Sequence, residues 1–217
     1  MDRKIFHESF YQKAMREYDR ALEQAKHQLN GEVYSDKYVR DNLNQAAADI
    51  QEILDQGFTD TIQKIKDDMA KIVQKFVDKS EELQRKDGTA ELLRRQDLQT
   101  KAKNYDFEEL LKFIQNQTQK EVIPEFDYYT LNEAAEPYTG QGNAQSMQLD
   151  TALIELRRKL PQNAAEQSSE YQKLKDFLTE TKFVPHRGDI FIKDDTGHYG
   201  MVHIESSFDA LFQNRML

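Results

Sequence analysis

Three histidines near the C-terminal end, His186, His198 and His203, offer the widest scope for chemistry in this 217-residue chain. With Asp194 or Asp195 they supply the side-chain types of a metal site, and an imidazole can also serve as a general base. Strand geometry works against a shared site, because positions 198 and 203 are an odd number apart and an extended strand points them to opposite faces. The acidic pairs Asp67-Asp68, Glu81-Glu82 and Glu108-Glu109 are sequence neighbours in helical stretches. Their carboxylates diverge by roughly 100° about the helix axis and do not form an acid/base dyad. Cysteine is absent, which removes disulfides, thiolate nucleophiles and Cys-ligated zinc or iron–sulfur centres. No phosphate-cradling glycine loop, dinucleotide fingerprint or Ser-His-Asp signature is present. The expectation is a noncatalytic protein with no catalytic, cofactor-binding or metal-binding residue.

Composition limits the partners. A formal charge of −9, spread along the chain, disfavours general nucleic-acid binding, which needs a basic face to neutralise phosphates. The basic clusters Arg94-Arg95 and Arg157-Arg158-Lys159 read as solvated helix faces with i±4 partners. Arg187-Gly188-Asp189 at the start of a strand and the glycosylation triplet Asn116-Gln117-Thr118 read as coincidences without a secretion signal. The N-terminus is charged, with no apolar signal core, and no later segment reaches transmembrane length, so the chain is expected to be soluble, made in the cytoplasm and independent of membranes. Only 8 Gly and 4 Pro, among abundant Gln, Lys, Glu, Asp and Ala, favour helix over sheet. Hydrophobic content of 38% against 32% charged suits an elongated helical body better than a compact globule.

The elements follow from periodicity. Tyr11, Met15, Tyr18, Leu22, Ala25 and Leu29 place one apolar stripe on a helix over 2–29, stopped by Asn30-Gly31. Ser35 is a candidate cap for the next helix, striped by Val39, Leu43, Ala46 and Ile50. Its seam continues through Leu54, Phe58, Ile62, Ile65, Met69, Ile72, Phe76 and Leu83, a coiled-coil-like pattern in a stretch without proline from Ser35 to Lys86. Four-residue steps around Gly57 leave two options, one long helix over 36–86 or two collinear ones with a hinge. Lys86-Asp87-Gly88 ends this region, and Thr89 is a candidate cap for a short helix carrying Leu92, Leu93 and Leu98. Asp106 and Glu109 resemble a capping box for a helix bearing Leu110, Leu111 and Ile114, ended by Pro124.

Residues 125–146, with Tyr128, Tyr129, Pro137, Tyr138, Gly140 and Gly142, read as a linker or long loop with some packed aromatics. Beyond it, Leu149, Leu153, Leu156 and Leu160 mark a helix closed by Pro161, and Tyr171, Leu174 and Leu178 mark another. The period then changes to that of a β-hairpin over 189–204, turning at Asp194-Asp195-Thr196-Gly197. Two strands alone are marginal in water, so the hairpin must lie on a helix or join another chain's sheet. A terminal helix capped by Ser206 or Ser207 carries Phe208, Leu211, Phe212 and Met216. That patch needs a groove, either near Leu153 and Leu178 or on a partner. The expected fold is mainly α, with long antiparallel coiled-coil-like helices and a small C-terminal β-hairpin. The expected division is an elongated helical region over 1–124, the linker, and a smaller α+β region over 147–217. Interaction is assigned to Ile62, Ile65, Met69, Ile72 and Phe76 for self-association and to Phe208, Leu211 and Phe212 for docking.

Two resemblances bear on function. Pro185-His186-Arg187-Gly188-Asp189-Ile190 followed by Gly197-His198-Tyr199-Gly200-Met201-Val202 is similar to the hairpin around the histidine of NlpC/P60 and CHAP cell-wall peptidases. On that likeness His198 would be the base, but the cysteine nucleophile it would activate is missing; a degenerate relative would keep only the hairpin. Tyr34-Ser35-Asp36-Lys37-Tyr38-Val39-Arg40-Asp41, feeding a charged helix, resembles small helical proteins encoded beside capsid genes in tailed phages of Gram-positive bacteria, over residues 2–86. That resemblance implies a virion or head-assembly role, with the chain itself and a larger structural protein, such as a capsid or portal component, as partners. The alternative is an acidic regulatory module, an inhibitor or adaptor that covers a basic surface.

Overall fold

The structure, a computed structural model, describes residues 3–31, 34–84 and 87–213. Among these are nine α-helices and one two-stranded antiparallel sheet. The chain is mainly α with a long helix and a small C-terminal hairpin. No described helix is long and apolar enough to cross a membrane. It divides into two compact units, one made from the residues up to Lys66 together with those from Asp176 onward, the other from Asp67–Lys175. The expected boundaries at 124 and 147 are therefore replaced. The hairpin and terminal helix close on the first helices, a pairing across most of the chain that local periodicity does not encode.

The first unit begins with a 3-10 turn over Lys4–His7 and α1, Ser9–Asn30. Tyr11, Tyr18, Ala25 and Leu29 are buried as expected, but Ala14 and Gln28 are buried too while Met15 and Leu22 are only partly covered. Long helix α2, Asp36–Glu82, runs without a break through Gly57, so one helix, not two, carries the seam. Glycine is required there by a neighbour: a Cβ on Gly57 would lie 2.0 Å from Cδ2 and 2.7 Å from Cβ of Phe10. The α2 face buried in this unit runs Val39, Leu43, Ile50, Leu54, Phe58 and Ile65, with Ile62 half-buried beside it. The hairpin consists of β1, Asp189–Lys193, and β2, Tyr199–His203, and lies on its own chain. Phe6 packs at 5.1 Å from Phe191 and 4.6 Å from Tyr199, ring centre to centre.

Terminal helix α9, Ile204–Gln213, starts two residues earlier than the expected serine caps, and His203 Nδ1 accepts from the Ser206 amide at 3.4 Å. Phe208 and Phe212 are buried in the same core, with Leu211 partly buried. Phe208 stacks on Tyr18, whose hydroxyl pairs with Ser207, and the Arg40 guanidinium sits 4.0 Å over the Phe212 ring. The docking role expected for these three residues is thus corrected to self-docking, against α1 and the start of α2. Met216 and Lys86 lie outside the described residues.

The second unit contains the end of α2 and α3, Gly88–Asn104; α4, Phe107–Thr118; α5, Glu125–Ala135; α6, Ala144–Arg157; α7, Pro161–Gln167; and the start of α8, Ser169–Lys182. Asp87, not Thr89, caps α3, accepting from the Thr89 amide at 2.9 Å. The capping box at Asp106 and Glu109 is present in full, and α4 ends at Thr118, well before Pro124. The linker expectation fails for 125–135, which form α5. Pro124 sits at its N-cap, where a missing N–H costs nothing, and Glu125 and Asp127 lie at the positive end of the helix dipole. The true loop is short and turns at Gly140 and Gly142, both with positive φ. The core packs Leu98, Leu110, Ile114, Leu131, Leu149 and Leu156. Phe76, Val122 and Ala165 form a smaller cluster, where the Lys79–Glu121 ion pair closes at 2.7 Å.

Candidate interaction surfaces

Each of these three C-terminal histidines is engaged by a separate local task. His198 precedes β2 in the turn, where Asp194 Oδ1 accepts from the Thr196 amide at 2.9 Å, the Thr196 hydroxyl at 2.6 Å and the His198 amide at 2.8 Å. Those bonds to the ionised form hold the Asp194 carboxyl below its ordinary range. The imidazole meets Thr196 Oγ1 at 2.9 Å, so the hydroxyl lies between acid and base. In a nucleophilic triad the imidazole takes the middle position; this arrangement builds a tight turn. His203 caps α9 as described. His186 stacks on Phe58 at 4.3 Å, with Nδ1 3.2 Å from the Val184 carbonyl and Nε2 3.7 Å from Asp55. Among the described residues no three His, Asp or Glu side chains converge as metal ligands would.

Gln51 performs a task that its polar type conceals. Its amide oxygen accepts from Gly188 N–H at 2.6 Å, and its Nε2 donates to the His186 carbonyl at 2.9 Å. One side chain on α2 therefore reads two backbone groups of the approach to β1, like a neighbouring strand. Gly188 takes φ +77° there, a left-handed conformation that glycine adopts without strain. Arg187 and Gly188 flank an open cleft of about 570 Å³ that Gln51, Asp55 and Glu205 also line. Tyr11 acts similarly from α1: its hydroxyl accepts from Phe191 N–H at 2.7 Å. Burial pushes this phenol up to about 12 because it penalises the phenolate.

The second unit contains one concentrated charge cluster. Arg94 donates to Glu91 at 2.8 and 2.9 Å and to Asp127 at 2.8 and 3.1 Å. Arg95 donates to the same Glu91 at 2.8 Å and to Gln84 at 2.9 Å, and covers the Phe126 ring at 4.7 Å. Both carboxylates are buried, and two arginines balance them. The fork of Arg94 joins α3 to α5, a cohesive role instead of the solvated one read from Arg94-Arg95. Hydrogen bonds to Glu91 and then Asp127 hold its guanidinium above the ordinary range.

The seam residues are unevenly covered. Ile65 and Phe76 are buried, Ile62, Met69 and Ile72 are half-buried, and Leu83, one residue past the end of α2, is exposed. Other exposed apolar side chains include Leu92 and Leu93 on α3 and Met147 and Ile154 on α6. In the first unit an open groove of about 600 Å³ beside Gly57 is lined by Glu17, Asp49, Glu52 and Asp60 with Lys13. No family model, curated protein or solved structure matches the chain.

Proposed function

We propose that this chain is a noncatalytic structural or assembly protein, of the kind built into a tailed-phage head or virion, that associates with copies of itself through α2. The observation that carries this reading is the 47-residue length of α2, along which Ile62, Met69 and Ile72 keep apolar surface in water. Burying such residues against a second helix gains about 25 cal/mol per Å² removed from water. For a larger structural partner, such as a capsid or portal component, Met147 and Ile154 supply apolar contacts one heptad apart on α6. Sedimentation of the full chain tests the reading: wild type should exceed the monomer mass, and Ile62→Lys with Met69→Lys should lower it without a change in melting temperature. An unchanged mass for that variant would remove α2 as the contact.

The acidic groove favours a second reading, a regulatory module that covers a basic surface. Its test is titration with a lysine-rich peptide, which Glu52→Lys with Asp49→Lys should abolish while leaving self-association intact.

A further inference from the structure

We propose that the outer edge of β2 is a two-fold pairing surface for β2 of a second copy of this chain. The hairpin register places Ile190 opposite Val202, Phe191 opposite Met201 and Lys193 opposite Tyr199. Phe191 turns its N–H away from β2, to Tyr11, whereas Ile204 N–H reaches the Gly188 carbonyl and Asp194 N–H the His198 carbonyl, each at 2.8 Å. Bonded and non-bonded pairs alternate in an antiparallel ladder. Tyr199 and Met201 therefore direct their backbone N–H and C=O groups outward, on the side of β2 away from β1.

The two edges of the hairpin are treated differently. On the β1 side, Tyr11 fills the outward position at Phe191, and Gln51 holds Gly188 N–H just before the strand. On the β2 side Gly200, Met201 and His203 are exposed, and a Cβ added at Gly200 would meet nothing within 4 Å. Free edges are normally guarded by lysine, proline or a bulge. The sequence of β2, Tyr199-Gly200-Met201-Val202-His203, contains no lysine or proline, in a chain that is 32% charged, and its register runs without a bulge.

The edge is also self-complementary. Antiparallel pairing about a two-fold axis at Met201 sets Met201 against the same residue of the second copy and Tyr199 against the second copy's His203. The Asp189 end of one hairpin then lies beside the Lys193 end of the other. Lys193 already leans that way, its Nζ 5.9 Å over the Tyr199 ring. A two-stranded ribbon becomes a four-stranded sheet, which is the smaller number's remedy for marginal stability. This deepens the assembly reading, on which it rests for the expectation that copies of the chain meet.

Met201→Pro is the direct test, because the N–H it removes is not part of the β1–β2 ladder and proline is tolerated at such edge positions. Sedimentation of the Ile62→Lys with Met69→Lys protein, whose α2 contact is removed, should show doubling from 25.5 kDa as concentration rises, with Met201 amide exchange slowed about tenfold or more. Adding Met201→Pro to that protein should leave it monomeric while the Ile190 and Ile192 amides stay protected. An Ile62→Lys with Met69→Lys protein that is monomeric at every concentration, or one that still dimerises once Met201→Pro is added, overturns the proposal. If the proline variant loses the hairpin, Met201→Lys decides instead: it keeps every backbone group and sets two like charges on the axis, so a persistent dimer overturns the proposal and its loss supports it. The two contacts fail separately. Loss of association in the Ile62→Lys with Met69→Lys variant alone leaves α2 standing and the edge refuted; loss in the Met201 variants alone does the reverse.

Discussion

The first unit is assembled from the two ends of the chain and the second from one continuous stretch, and the difference shows in what holds each together. In the first, the ties that matter span 180 residues from Tyr11 to Phe191 and 189 from Tyr18 to Ser207, through aromatic stacks and side chains that satisfy backbone groups. In the second, neighbouring helices pack aliphatic faces, and the strongest polar tie, Arg94 to Asp127, spans only 33 residues. Contacts between distant segments close large loops before they stabilise anything, so the first unit should form later and respond more cooperatively to a single lesion.

The largest effect is expected from Phe208→Ala, which removes a buried ring from the core where α9 meets α1. It should cost about 4 kcal/mol and strip hydrogen-exchange protection from α1 and the hairpin while leaving α4 and α6 protected. Equal losses in both units would mean a single cooperative block and would break the comparison. Arg94→Met, the counterpart in the second unit, leaves Asp127 buried without its cation and Glu91 with Arg95 alone, at a cost of about 3 kcal/mol; α3 and α5 amides should report it and hairpin amides should not.

Gly57→Ala sharpens the contrast within one helix. Alanine is the better helix former by about 1 kcal/mol, yet its methyl would overlap Phe10 down to that residue's own Cβ, which no rotamer change relieves. Overpacking should win, with a net loss of about 2 kcal/mol seen as a lower urea midpoint; a rise in midpoint would show that α1 yields freely.

The smallest effect at neutral pH belongs to Tyr11→Phe, about 1 kcal/mol for a Phe191 amide left without its acceptor. It carries a pH signature as well. The phenol, ordinarily at 10.0, is raised to about 12 in the folded chain, so the unfolded chain loses its proton first. The stability tied to the neutral phenol is complete below pH 10 and declines between 10 and 12. An alkaline melting series should show that decline in wild type and a shallower one in Tyr11→Phe.

Regular local patterns were legible in the sequence. Heptad and four-residue spacing marked α2, Asp106 with Glu109 marked the start of α4, and Asp194 to Gly197 marked the hairpin turn, because each is decided within a few residues of itself. Aromatic and proline content disguised α5, since Pro124 reads as a breaker until it is seen to stand at an N-cap. Arg94 looked like a solvated helix face and Gln51 carried no signal at all, because polar side chains declare neither their burial nor partners 33 and 137 residues away. Phe208 and Phe212 were recognisable as apolar helix positions needing cover; that the cover is α1 depended on chain closure, which no local spacing records.

The ring of Phe10 rests where α2 lacks a single carbon atom, and this has a consequence for how the sequence can drift. A side chain at position 57 is selected against while position 10 keeps its phenylalanine, so the two should vary as a pair across descendants of this chain: a glycine wherever the ring persists, freedom at 57 once residue 10 has become small. Phe10→Ala should accordingly make Gly57→Ala harmless or even favourable, a reversal of sign that marks the two positions as one inherited character separated by 46 residues of sequence.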